Sequence, residues 1–344
     1  AGDSTCYTCS AKTCEQLGKK TCNGSCIATS ECCGGCGTNQ KCENGTCVQD
    51  KTPMELCTDQ IAAQDSTIVF VKDFTEFKKV SSSAKIVVLT DNVDGSSYTF
   101  NPYNAASSYS RHTRTYYNPL TYGLSKNIPE CTALKICPED APEVYPGVSS
   151  CREPFNFSLT LGTGTITDKD ISFYVPTTLD ALTIKSSDTT VSNKTHAGAY
   201  FYNTANVSEI NTSGRNLSVS FGDTTYVGSY NNKAVLSSLS FRKEFYGNPA
   251  EIKKLPAYFE SISNSGGTLS IYAEFADITL LSSSISSSSM YSNHMNITLS
   301  YSTLQFDAGY GTSFDLGYSV DEYWSILLTQ GCLVNTNRNA YKPY

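Results

Sequence analysis

The sequence predicts an all-β protein, a coiled stack of short strands that is closed at its front by a helix and preceded by a small disulfide-rich module. Three observations support this prediction. Ten of the 15 cysteines lie between Cys6 and Cys47. Residues 66–94 have a strand–helix–strand pattern. From residue 155 onwards, short segments recur in which apolar residues alternate with serine or threonine, which is the period of a β-strand.

The first element is the cysteine module, which we assign to residues 1–57, with the strand domain at 58–344. A module of this size buries too little apolar surface to fold unaided, and disulfides are the usual remedy. Zinc is the alternative, because two Cys-x-x-Cys pairs have ligand spacing. The adjacent Cys32-Cys33 pair favours disulfides. The module cysteines are Cys6, Cys9, Cys14, Cys22, Cys26, Cys32, Cys33, Cys36, Cys42 and Cys47.

The second half of the module, GKKTCNGSCIATSECCGGCGTNQKCENGTCV, resembles EGF-like and knottin-like extracellular modules. The resemblance lies in the close cysteine spacing, the Cys-Cys pair and the closing turn from Cys42 to Cys47. It implies a disulfide-stabilised scaffold and no particular activity.

The second element, residues 66–94, predicts a strand, a short helix and a second strand. Residues 68–71 are β-branched or aromatic, and residues 86–89 are wholly apolar. Asp73 and Glu76 have the spacing of a capping box, which satisfies the free N–H groups of a first helical turn. The apolar face of the helix would consist of Phe74, Phe77 and Val80. We expect this helix to cover the open core of the first coil.

The third element is an irregular excursion at about 96–154, rich in tyrosine and proline. A structureless loop of this length is unusual unless it is held in place. The cysteines available to hold it are Cys57, Cys131, Cys137 and Cys151. Tyrosine combines a large contact area with a polar tip, which suits protein interfaces and sugar stacking. Candidate interface or sugar-stacking residues are Tyr116, Tyr117, Tyr122 and Tyr202.

The fourth element is a run of nine short strands. The interval between similar segments is roughly twenty residues, which resembles the coils of a right-handed parallel β-helix. A pair of antiparallel β-sandwiches is the alternative. Gly162-Thr-Gly164 is expected to form a turn, and residues 321–328 carry a late helical signal. The predicted strands are 155–161, 171–175, 181–185, 199–202, 217–221, 236–241, 268–275, 277–285 and 296–306.

Composition indicates the compartment and excludes some partners. The net charge of −7 and the pI near 5.1 argue against nucleic acid and anionic membranes as partners. No apolar run approaches the roughly 18 residues of a membrane span. We expect a secreted extracellular glycoprotein, whose Ala1-Gly2-Asp3 start is compatible with removal of a signal peptide. Its Asn-x-Ser/Thr sequons are at Asn23, Asn44, Asn156, Asn193, Asn206, Asn211, Asn216 and Asn296.

Catalytic motifs are scarce. The three histidines, His112, His196 and His294, form no metal-binding motif, and we expect no cofactor, metal or catalytic residue. A polysaccharide lyase or hydrolase is the alternative, because glycoside hydrolysis needs two carboxylates. The carboxylate pairs that would serve are Asp168 with Asp170 and Glu274 with Asp277.

The favoured function is that of a structural subunit in an extracellular filament, surface hair or coat. A solenoid has two different ends, and head-to-tail contacts that do not close generate fibres. The odd number of cysteines leaves one for a bond between subunits, and Cys332 is the candidate. By class and module type, the chain resembles components of protist flagellar hairs of the mastigoneme type. The alternative partner is a glycan, held by a carbohydrate-binding adhesin.

Overall fold

The computed structural model describes most of the chain. Its described residues are 12–37, 40–100, 114–134, 143–145, 148–149, 156–187, 196–242, 255–274, 276–285, 288–293, 296–300, 303–306, 314–315, 325–328 and 333–336. The chain divides into two compact units, residues 1–56 and 57–344. None of the helices within this described part combines the length and the apolar character needed to cross a membrane.

The first unit contains two antiparallel hairpins and a 3-10 turn at Glu15–Leu17. The hairpins are β1 (Lys19–Cys22) with β2 (Ser25–Ala28), and β3 (Gln40–Glu43) with β4 (Thr46–Gln49). Their tight turns use Asn-Gly pairs, in which Asn23 has φ 48° and Asn44 has φ 50°. Asparagine and glycine tolerate this left-handed region better than other residues, which explains the two turns. Disulfides tie each hairpin to residues 32–36 between them: Cys22 bonds to Cys33, Cys42 to Cys32 and Cys47 to Cys36.

The second unit contains two long parallel sheets. The first sheet has the order β5 (Val69–Val71), β6 (Ile86–Leu89), β8 (Arg114–Tyr117), β12 (Asp170–Phe173), β14 (Ala197–Phe201), β16 (Leu217–Phe221), β18 (Leu236–Arg242), β20 (Thr268–Glu274), β23 (Ser288–Asn293) and β26 (Phe314–Asp315). The second sheet has the order β7 (Val93–Gly95), β11 (Leu159–Thr167), β13 (Thr177–Lys185), β15 (Ala205–Gly214), β17 (Thr225–Ala234), β19 (Leu255–Asn264), β21 (Ala276–Leu281), β24 (Asn296–Ser300) and β27 (Ser325–Leu328). Three short strands, β22 (Ser284–Ile285), β25 (Thr303–Phe306) and β28 (Leu333–Thr336), continue the pairing of the second half of β19.

These sheets form the predicted parallel β-helix. From β11 to β21 the strands alternate between the two sheets along the chain, and each described pairing within either sheet is parallel. Parallel neighbours need a crossover between them, and here the crossover is a strand of the other sheet. The antiparallel sandwich alternative is therefore wrong.

The long strands of the second sheet are bent in the middle. In the pairing of β11 with β13, Gly162 and Asp180 are not paired with each other. The residues before and after them pair in one and the same register. The same gap recurs at Ser208, Gly228 and Glu260 in the next strands. The unpaired residues occupy equivalent positions in successive strands. On this side each coil therefore has two paired segments, and the line of unpaired residues between them forms a crease that runs along the stack.

The predicted helix stands at the front of the stack. Helix α2 (Phe74–Phe77) follows β5, where Asp73 Oδ1 accepts from the Glu76 N–H at 2.8 Å. The helix lies between two strands of the first sheet, in the place that a strand of the second sheet takes in later coils. Phe77 is buried, and Phe74 and Val80 pack against the same core. The helix therefore closes the coil as predicted, although it ends at Phe77.

A ladder of stacked rings runs through the core of the first sheet. Phe173, Phe201, Phe221 and Phe241 occupy equivalent positions on successive strands. Their neighbouring ring centroids are 5.0, 5.2 and 5.8 Å apart. Tyr116 extends the ladder to Phe77 of the helix, so the stack is continuous from cap to core.

The second sheet contains a buried row that changes from apolar to polar. Ile166 and Ile184 are followed in register by Thr212, Asn232 and Asn264. Asn232 Nδ2 donates to Asn264 Oδ1 at 2.7 Å, and Asn232 Oδ1 accepts from the Thr212 hydroxyl at 2.5 Å. Buried amides are tolerated when they are hydrogen-bonded in this way.

Several predicted local elements are wrong. Gly162 and Gly164 lie within β11 and not in a turn. At both positions a Cβ would meet the chain at 96–100, so glycine permits this close approach. Residues 114–117 of the predicted excursion form the core strand β8. In the predicted late helix, Ser325–Leu328 form strand β27.

The remainder of the predicted excursion includes two helices, α3 (Pro119–Ser125) and α4 (Pro129–Thr132), and a hairpin of β9 (Glu143–Tyr145) with β10 (Val148–Ser149). Cys131 of α4 forms a disulfide with Cys57 of helix α1 (Pro53–Gln64). Both cysteines are fully buried. The excursion is thus tied to the start of the second unit.

Candidate functional site

A groove of about 670 Å³ lies on the outer face of the second sheet, along its crease. Its lining comes from β15, β17 and β19 and from the end of β21, which are four neighbouring strands. Three strand spacings of about 4.8 Å give it a length of roughly 14 Å along the stack. The groove is therefore long enough for more than one unit of a linear ligand.

Two tyrosines dominate the groove. Tyr226 of β17 and Tyr258 of β19 are direct register partners on the outward face. Their ring centroids are 5.4 Å apart and their planes differ by 9°. Tyr226 is 38% exposed and Tyr258 is half-buried. This pair presents apolar ring surface and two phenol groups to solvent.

The groove also contains a carboxylate. The Tyr226 hydroxyl donates a hydrogen bond to Glu260, which lies at the crease two residues after Tyr258. This hydrogen bond is the main cause that raises the pKa of Tyr226 above its ordinary value. Ser208, Ser229 and Ser261 add hydroxyl groups to the lining. The site therefore offers stacking surface, one negative charge and several hydrogen-bonding groups.

A predicted glycosylation residue lies beside the tyrosines. Asn206 occupies the same outward row and is the register partner of Tyr226. Asn206 is exposed, and Ser208 of its sequon lines the groove. A glycan attached to Asn206 would therefore lie next to the Tyr226 ring.

Sequence reasoning missed this groove because it missed the strands that carry it. Neither β17 nor β19 was predicted, so Tyr226 and Tyr258 had no assigned face. The available signal was the alternation in Thr225-Tyr-Val and in Ala257-Tyr-Phe, where an apolar inward residue follows each outward tyrosine.

The predicted tyrosine residues divide into two groups. Tyr116 is 1% exposed and Tyr122 is 2% exposed, so neither can stack with a ligand from solvent, and for them the prediction is wrong. Tyr117 and Tyr202 belong to an outer ladder of the first sheet, with Tyr174 between them at 4.6 and 4.3 Å. Tyr202 is 39% exposed, so this ladder retains an accessible ring.

The sequons differ in their surroundings. Asn23, Asn44, Asn156 and Asn206 are exposed. Asn211 and Asn216 are half-buried, and Asn211 Oδ1 accepts from Asn231 Nδ2 at 3.1 Å. Asn193 and the side chain of Asn296 lie outside the described residues. The exposed asparagines are therefore the better candidates for attachment of a glycan.

The described cysteines are all in disulfides. The module contains Cys14–Cys26, Cys22–Cys33, Cys32–Cys42 and Cys36–Cys47. The sulfurs of Cys32, Cys36 and Cys42 lie within 4.8 Å of one another, yet each is oxidised and is no thiolate ligand for zinc. Five disulfides indicate an oxidising environment of the extracellular type. Cys6, Cys9, Cys137, Cys151 and Cys332 lie outside the described residues.

Of the two predicted carboxylate pairs, the structure describes the side chains of Asp168 and Asp170. Asp168 lies in a turn with φ 54° and bonds to Ser187, so the shared face expected of an extended strand is absent. Asp170 is 1% exposed and bonds to His196. The side chains of Glu274 and Asp277 lie outside the described residues.

No family model matches this chain, and no curated protein or solved structure is significantly similar to it. The fold and its sites are therefore the basis for the functional argument.

Proposed function

We propose that this protein is an extracellular carbohydrate-binding protein, and that the groove along the crease of the second sheet holds a glycan. The observation that carries the proposal is the exposed tyrosine pair beside a carboxylate and a set of hydroxyls. Aromatic rings with a polar tip stack on the apolar faces of sugars, while hydroxyl and carboxylate groups bond to sugar hydroxyls. Adhesion to a glycan-bearing surface would follow from this binding.

The direction of the groove supports a chain ligand over a single sugar. Because the groove crosses four strands, equivalent groups recur along the stack. A linear glycan laid along this axis would meet a new coil at each step of about 4.8 Å.

Tyr226→Ala and Tyr258→Ala are each expected to weaken glycan binding about tenfold, which corresponds to about 1.4 kcal/mol. The measurement is a glycan array followed by calorimetry with the best ligand. An Asn206→Gln background removes any attached glycan that could compete. Tyr272→Ala is the matched control, because Tyr272 is 43% exposed on the other sheet.

Two outcomes would contradict this proposal. One is an array without a binding signal in the Asn206→Gln background. The other is an equal loss of binding in Tyr272→Ala and Tyr226→Ala, which would place the ligand away from the groove.

That the protein is a polymerising subunit of an extracellular filament stays a prediction. It is supported by the parallel stack, in which β5 and β7 lie at one end of the described strand order and β26 and β27 at the other, so that head-to-tail contacts need not close. Negative-stain images of the purified protein are expected to show filaments that dissolve only with a reductant, because Cys332 would link subunits. Monodisperse single particles would contradict this function.

A further inference from the structure

Three polar side chains on the outer face of the first sheet are joined in a line. His196 Nδ1 is 2.9 Å from Asp170 Oδ1, and His196 Nε2 is 3.1 Å from Ser218 Oγ. Asp170 begins β12, His196 directly precedes β14, and Ser218 is the second residue of β16. Two strands of the first sheet, and the residue that directly precedes the strand between them, therefore contribute one group each.

The register explains why these groups meet. Asp170, Gly198, Ser218 and Ser238 are partners in one outward row. Glycine leaves this row without a side chain between Asp170 and Ser218, and the His196 ring bridges the two. A Cβ at Gly198 would lie 2.9 Å from the Tyr200 hydroxyl and 3.1 Å from Asp170 Oδ1. The absent side chain thus leaves the space that the Tyr200 ring occupies beside Asp170.

The order of the groups determines their roles. The Asp170 side chain is 2% exposed, and its carboxylate accepts a hydrogen bond from Nδ1–H of His196. This tautomer directs the Nε2 lone pair towards the Ser218 hydroxyl, which is the arrangement that activates a serine. The His196 side chain is 28% exposed, so a reactant can approach from solvent. Ser238 Oγ lies 2.9 Å from Ser218 Oγ and supplies a neighbouring hydroxyl.

We propose that Ser218 is the nucleophile of an acyl-transfer site that hydrolyses carboxylic esters, with His196 as its general base and Asp170 as the positioning residue. Ser218 Oγ attacks the ester carbonyl carbon while Nε2 takes the hydroxyl proton. The tetrahedral intermediate then expels the alcohol, which receives that proton from His196. A water molecule, deprotonated by His196, attacks the acyl-serine, and the carboxylic acid leaves as Ser218 regains its proton.

This inference goes beyond glycan binding and does not depend on it. The site of Asp170, His196 and Ser218 lies on the first sheet and the groove lies on the second. Tyr226→Ala is therefore expected to leave ester hydrolysis unchanged. Failure of either proposal leaves the other in place.

The test uses the full chain with p-nitrophenyl acetate and a fluorophosphonate probe. We expect the probe to label Ser218, as located by peptide mass spectrometry, and we expect Ser218→Ala to abolish labelling and to lower hydrolysis at least 100-fold. Asp170→Asn is expected to lower kcat by a similar factor with KM changed less than about twofold, because the wrong tautomer faces the serine. Ser220→Ala, two residues along the same outward face, is the control.

A second measurement keeps the proposal testable if Asp170→Asn does not fold. In Ser218→Cys the thiol faces His196, so iodoacetamide is expected to alkylate it at least tenfold faster than the thiol of Ser220→Cys. Equal alkylation rates would overturn the proposal, as would labelling that persists in Ser218→Ala or a wild-type protein that neither reacts with the probe nor hydrolyses the ester.

Discussion

Replacing Phe201 with alanine is expected to lower the free energy of unfolding by about 4 kcal/mol, within the 3–5 kcal/mol range typical of buried phenylalanines. Phe201 is 1% exposed and stacks between Phe173 and Phe221. Its removal leaves a cavity in the centre of the ladder and takes a ring contact from both neighbours. Urea unfolding followed by circular dichroism measures the change.

The adjacent residue provides the control for this variant. Tyr202 also stacks on a ring of the preceding coil, at 4.3 Å from Tyr174, but it lies on the outer face. Tyr202→Ala is expected to cost less than about 1 kcal/mol, because little buried surface is lost. Equal effects of the two substitutions would contradict the assignment of Phe201 to the core.

Removing the Cys57–Cys131 disulfide by a double substitution to alanine is expected to destabilise the second unit by about 4.5 kcal/mol. The two cysteines are 74 residues apart, and a chain-entropy estimate for a loop of this length gives that value. Both are fully buried, so the loss of their packing adds to the effect. The measurement is urea unfolding of the variant and of the wild-type protein.

A disulfide of the first unit provides the comparison. Cys14–Cys26 closes a separation of only 12 residues, and its removal is expected to leave the unfolding of the second unit unchanged. A change below about 1 kcal/mol in the Cys57–Cys131 variant would mean that the helices α1, α3 and α4 hold together without their covalent link.

The strands that the sequence predicts correctly either alternate strictly or are wholly apolar. Residues 217–221 and 86–89 match β16 and β6. The missed strands β15, β17 and β19 contain residues that usually disfavour strands, among them Asn232, Gly228 and Pro256. For two of them, Gly228 and Asn232, the folded stack provides the reason. Gly228 lies at the crease, and Asn232 is satisfied by Thr212 and Asn264 from neighbouring coils.

The two candidate sites have no sequence signature for the same reason. Asp170, His196 and Ser218 are separated by 26 and 22 residues, and their meeting depends on the register of β12, β14 and β16 and on the place of His196 directly before β14. Tyr226 and Tyr258 are 32 residues apart and become partners only through the pairing of β17 with β19. Local motifs carry no information about such contacts. In contrast, the capping unit is local, and Asp73 with Glu76 predicts it from four adjacent residues.

The ring ladder keeps its register although the coils differ in length. Phe173 and Phe201 are 28 residues apart, whereas Phe201, Phe221 and Phe241 follow one another at intervals of 20. Extra residues can therefore be inserted between a strand of one sheet and the next strand of the other sheet without changing the register of the stacked phenylalanines. Mutation can lengthen or replace one of these connecting loops while the stacked core stays unchanged. New surface properties could therefore evolve, or be engineered, one loop at a time.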